Sequence, residues 1–161
     1  MTTNIYGARR RAREMALQLL FQTEFLTDAK VAQVVTVAEK TGDAAKLRAS
    51  SPSEMLKRFV ADFEIEAEVA DYGGAVFLGV NARIGEIDAI IQAHSSHWKV
   101  SRMGLVDLAV MRVAVYEMKF TTPPLSPRIA IDEAVEVAKK YGSTESGAFV
   151  NGILDHVARG L

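Results

Sequence analysis

Wound as a helix, residues 103–120 leave almost no polar face, because Leu105, Val106, Leu108, Ala109, Val110, Met111, Val113, Ala114, Val115, Tyr116 and Met118 cover nearly every side. Such a helix is stable in water only when other elements surround it, so it is expected at the centre of a helical bundle. The chain contains no run of eighteen apolar residues, and no segment reads as a membrane span.

The rest of the pattern supplies the surrounding helices. All four prolines fall at Pro52, Pro123–Pro124 and Pro127, leaving residues 53–122 free for long helices. Ala8, Ala12, Met15, Leu19 and Leu26 form one apolar stripe and predict a helix over 8–26. Ser53 as a cap predicts a second helix over 54–70. Phe77, Val80, Ile84, Ile87 and Ile91 predict another over 73–95, bent near Gly85. A helix over 128–141 ends at Gly142, with Lys139 and Lys140 in its last turn where the helix dipole favours cations. Ser143 or Thr144 would cap a final helix carrying Phe149, Ile153, Leu154 and Val157. Residues 28–50 are ambivalent: Val31, Val34, Val35 and Val37 favour strand, while the surrounding alanines and charges favour helix. Counting that segment, the expectation is an all-α bundle of about seven helices. It forms a single domain over 1–161, with approximate subdomains 1–97 and 98–161 meeting near Trp98.

With 161 residues, 49% of them hydrophobic and 24% charged, the chain can bury a core of ordinary size. It has no cysteine, which excludes disulfides, thiolate metal sites and a cysteine nucleophile. Gln18, Gln22 and Glu24 interrupt the apolar residues that follow the N-terminal arginines, so no secretory signal is read there. A cytoplasmic protein is expected.

Because the net charge is −1, affinity for nucleic acid would have to come from a local concentration of charge. Arg9, Arg10, Arg11 and Arg13 provide one: four guanidiniums in five residues repel one another unless an anion offsets them. At 100° per residue, Arg10, Leu17 and Phe21 fall together with Arg13 close by, away from the main apolar stripe. Arginines beside an outward ring suit a single RNA strand, with guanidinium on phosphate and base on ring. A solvated basic turn with Phe21 packed under a neighbouring helix accounts for the same residues. Guanidiniums held by carboxylates from elsewhere in the chain would remove the electrostatic case for RNA. Four phosphate contacts would give a salt slope of about −3, a roughly fifty-fold loss between about 50 and 200 mM salt.

Other polar features carry less. His94 and His97 share an i, i+3 spacing but have no third ligand nearby. Asp155 and His156 are adjacent and point apart on a helix, and there is no GxSxG motif. Gly73-Gly74 lacks the Lys-Ser/Thr of a phosphate loop, and Glu64, Glu66 and Glu68 read as a solvated run. No metal, cofactor or catalytic activity is expected.

Three segments resemble the NusB family. Arg9-Arg-Arg-Ala-Arg-Glu-Met-Ala-Leu-Gln-Leu-Leu-Phe21 is similar to the family's RRxARExALQxLY. Val110-Met-Arg-Val-Ala-Val-Tyr-Glu-Met118 is similar to LRLAxYEL. Ile129-Ala-Ile-Asp-Glu-Ala-Val-Glu-Val-Ala-Lys-Lys-Tyr-Gly142, with Phe149-Val-Asn-Gly-Ile-Leu-Asp155, resembles VAINEAVELAKxFG…FVNGxLD. Phe21 stands where tyrosine is usual, Asp132 where asparagine is common, and the stretch 38–53 is longer than usual. The resemblance implies an all-helical fold of two packed subdomains. It also implies a partnership with the small-subunit ribosomal protein NusE, binding to boxA-type single-stranded RNA, and action on the transcription elongation complex at terminators. Carried over, Arg9, Arg10, Arg11 and Arg13 would form the RNA-binding motif, with Phe21 beside it and Phe149 and Asn151 at or near the same surface. Phe149 also fits a core position, at helical spacing with Ile153 and Val157. Asp107 would face the protein partner, and a homodimer is an open state. The alternative is a helical protein-interaction or self-association module that binds no RNA.

Overall fold

The structure, a computed structural model, describes residues 5–27 and 50–161. Over these it is all-helical: α1 (Ile5–Thr27), α2 (Pro52–Asp62), α3 (Ala67–Ala82), α4 (Ile84–Ala93), α5 (Leu105–Lys119), α6 (Pro127–Tyr141) and α7 (Ser146–Gly160). A single 3-10 turn, Val100–Arg102, precedes α5. The ambivalent segment falls on residues 28–49, outside the described residues, as does the side chain of Leu26.

The helix expected at the centre is there. α5 packs against α1, α3, α4, α6 and α7, and its buried positions run from Leu108 to Met118 with only Tyr116 partly exposed. α1 lies across it, burying Ala8, Ala12, Met15, Ala16, Leu19 and Leu20. Its closest neighbour is α3. A Cβ added at Gly73 would stand 2.6 Å from the Ala12 carbonyl oxygen, so this crossing requires glycine at 73. One continuous core draws on α1 and on α3 to α7, on both sides of the loop at Trp98.

Several boundaries differ from expectation, each for a local reason. α2 starts at Pro52, and its cap is Ser51, not Ser53. The Ser51 Oγ accepts from the Glu54 N–H, while the Glu54 carboxylate accepts from the Ser51 N–H at 2.8 Å. Pro52 suits the first helical position because it has no N–H to leave unpaired. The helix expected over 54–70 stops at Asp62, where Glu64 takes a left-handed conformation (φ 48°) and the chain restarts at Ala67. The helix expected over 73–95 is two helices broken at Arg83 (φ −126°), not a bend at Gly85, which sits within α4. Gly142 ends α6 as expected. A side chain there would collide with Ser146, whose Oγ accepts from the Ser143 N–H at 2.8 Å. α7 therefore starts at Ser146 with no side-chain cap, neither Ser143 nor Thr144 filling that role.

Candidate nucleic-acid interface

The arginine turn occupies the first half of α1, and the packing on either side of that helix sorts its four guanidiniums. Alanines at 8, 12 and 16 bring α1 close to its neighbours, while Leu17 is buried among Val110, Val113, Ala130, Ala134 and Val137 of α5 and α6. The face expected to point outward is therefore covered along much of its length. Leu17 belongs to the core, and so does Arg13, which is only 6% exposed.

Arg13 makes two hydrogen bonds to Glu117 of α5, from Nε at 3.0 Å and 2.9 Å, and reaches Glu133 of α6 at 3.5 Å. Glu117 is 1% exposed. Burial alone would penalise the charged guanidinium, but Glu117, followed by Tyr72 and Glu133, more than compensates and raises its pKa. The Tyr72 hydroxyl also donates to Glu117. Burial pushes this phenol up to about 12, and the neighbouring Glu117 charge adds to the effect. The expected phosphate contact at Arg13 is thus corrected: its donors are turned inward and committed to carboxylates.

Arg9, Arg10 and Arg11 remain at the surface. Arg10 forms a two-pronged pair with Glu133, Nε at 3.0 Å and the terminal nitrogen at 2.7 Å. The hydrogen bond from Arg10 holds the Glu133 carboxyl below its ordinary range. Arg11 pairs with Glu66 at 2.7 Å, with both partners largely exposed. Arg9 lies over the face of Tyr72, 3.7 Å from its centroid. Carboxylates of this chain therefore offset much of the repulsion among the arginines, and uncompensated charge by itself does not call for RNA. Glu14 adds a further tie between α1 and α6, accepting from Lys140 and from the Tyr141 hydroxyl, each at 3.0 Å.

The remaining expected site residues are spread over the surface. Phe21 is 37% exposed, about two helical turns beyond the buried Arg13. Phe149 is half-buried, and its ring meets the exposed Trp98 edge-on at 5.9 Å. Asn151 is exposed a little further along α7. Among the described residues, no hydrogen bond, ion pair or ring contact joins it or Phe149 to the arginines. Asp107 sits half-buried in the first turn of α5, where the helix dipole favours an anion, with its carboxylate beside Gly104. A second buried arginine lies outside the motif. Arg112, 5% exposed, is held by both carboxylate oxygens of Asp88 at 2.8 Å and by Glu24 at 2.7 Å.

A profile of the NusB family matches residues 10–159. The chain belongs to this family. It is similar to the transcription antitermination protein NusB of Bdellovibrio bacteriovorus, 43% identical and covering 94% of this chain and 96% of that one. The NusB of Anaeromyxobacter sp. strain Fw109-5 is 42% identical, covering 95% of this chain and 91% of its own. Among solved structures, T. maritima NusB is 30% identical with a TM-score of 0.73, covering 99% of this chain and 93% of that chain. A chain in the crystal structure of antitermination factors NusB and NusE in complex with dsRNA shares the fold at 24% identity and a TM-score of 0.71, over 96% of this chain and 98% of that one.

In this NusB-family member, Tyr72, Glu117, Glu133, Arg112, Asp88 and Glu24 are the polar residues that sequence reasoning passes over. A signal exists for two of them. Arg112 and Glu117 interrupt an otherwise apolar helix, and charges on a surrounded helix must find partners inside.

Proposed function

We propose that this NusB-family chain is a non-catalytic transcription antitermination factor that binds a boxA-type RNA strand together with NusE. The observation that carries the reading is the family match over 10–159, which begins within an N-terminal arginine turn whose Arg9, Arg10 and Arg11 stay at the surface. The name borne by its relatives, transcription antitermination protein, supports the same assignment.

The ion pairs do not prevent this. The Arg11–Glu66 pair is exposed on both sides and contributes about 0–1 kcal/mol, and Glu133 keeps Arg13 beside it when Arg10 turns to a phosphate, which offers the same fork geometry. Arg10 exchanges Glu133 for a phosphate and Arg11 exchanges Glu66, while Arg13 stays inside and sets the position of the turn. Phe21 offers a ring to a base, and Asn151 with the exposed edge of Phe149 extends contacts along α7. Asp107 faces NusE, and the complex acts in the cytoplasm on the transcription elongation complex.

The test is a titration of a labelled boxA RNA with the chain alone and with NusE added, at about 100 mM salt. Binding is expected to be weak alone and tighter with NusE, and to weaken when Arg10 and Arg11 are changed to alanine. Binding of NusE without any RNA term would favour the reading as a protein-interaction module.

A further inference from the structure

Arg9 differs from the other three arginines of the turn: among the described residues no carboxylate pairs with it. Its contact is the face of Tyr72, 3.7 Å from guanidinium carbon to ring centroid. At that separation the guanidinium has room only roughly parallel to the ring, which leaves its N–H donors pointing outward in the plane. Stacking on an aromatic face and bidentate recognition by the edge are compatible in arginine, and lysine offers neither the plane nor the fork.

The ring itself is fixed from below. The Tyr72 hydroxyl donates to Glu117, which is buried and doubly bonded to Arg13. Its backbone is fixed as well, because Tyr72 precedes Gly73, the point where α3 touches the backbone of α1 at Ala12. A buried ion pair, a phenol and a ring face thus form a continuous support ending in one surface cation whose donors have no hydrogen-bond partner among the described residues.

We propose that Tyr72 is a positioning residue for RNA binding: its ring holds the Arg9 guanidinium so that the in-plane donors take one phosphodiester of the strand bidentately. This rests on the proposed RNA binding and adds to it a residue outside the arginine motif.

A double-mutant cycle on the NusE-bound chain, read with a boxA RNA oligonucleotide, tests it. Tyr72→Leu is expected to weaken binding by roughly three- to tenfold, while Tyr72→Phe, which keeps the ring, stays within about twofold of the parent. In an Arg9→Ala background, Tyr72→Leu is expected to have no further effect, because the group it positions is gone. An equal loss in both backgrounds would mean a structural role only and would overturn the proposal. Arg9→Lys, which leaves the core untouched, is expected to bind as weakly as Tyr72→Leu; parental affinity would also overturn it. Failure of the parent complex to bind the RNA at all would instead sink the proposed function, and this inference with it.

Discussion

Removing either member of the Arg13–Glu117 pair strands the other charge where water does not reach, and the desolvation cost then has nothing to offset it. Arg13→Ala is expected to destabilise the fold by about 3–5 kcal/mol, measured by urea unfolding, although the residue lies within the arginine motif. Changing both together, Arg13→Met with Glu117→Leu, is expected to recover much of that loss, since no charge remains buried. Tyr72 makes a spectroscopic prediction. Its phenol is expected to ionise near 12, and Tyr72→Phe to delete that component of the ultraviolet titration. An unfolded tyrosine loses its proton near 10, so between about 10 and 12 the folded state holds a proton the unfolded state has lost, and stability falls across that window as pH rises. Glu133 acts at the other extreme. Its carboxyl is held down by Arg10, so its contribution is present above the ordinary carboxylate range and disappears as pH falls through its lowered value. Glu133→Gln is accordingly expected to cost stability at neutral pH and nothing in acid.

At the scale of elements, the α1–α3 crossing is the contact with the least tolerance. Gly73→Ala puts a methyl against the Ala12 carbonyl, which is backbone and cannot swing aside. It should cost about 1–3 kcal/mol in denaturant unfolding, whereas Gly85→Ala, which meets nothing within 4 Å, is expected to be tolerated. The same crossing shows where sequence reading succeeds and where it stops. The stripe of Ala8, Ala12, Met15 and Leu19 is legible because it repeats at helical spacing and is buried on one side. The opposite side of α1 reads as open and is not: the helical wheel groups Arg13 and Leu17 correctly, but periodicity cannot say that α5 and α6 cover that face too. Breaks at Glu64 and Arg83 escape such a reading because neither residue is a glycine or proline, and backbone conformation there is set by tertiary packing. The capping pair Ser51–Glu54 is readable in principle, since serine three residues before glutamate is the pattern of a reciprocal cap.

For the whole molecule, net charge tells little and its partition tells more. Three of the four arginines in the turn are matched by Glu66, Glu117 and Glu133, residues far apart in sequence and visible as partners only once α1, α3, α5 and α6 are assembled. This divides the motif into Arg13, an internal anchor, and Arg9, Arg10 and Arg11 at the surface, the three proposed to meet RNA. The division is tested most directly by the salt dependence of boxA RNA binding to the NusE-bound chain, comparing the parent with an Arg9→Ala, Arg10→Ala, Arg11→Ala triple variant. Three single-strand phosphate contacts should reduce the slope of log affinity against log salt by about 2 in the triple variant, which is expected to remain folded and to lose only the stability of its surface ion pairs. An unchanged slope and affinity in a folded triple variant would contradict the assignment of RNA binding to this turn.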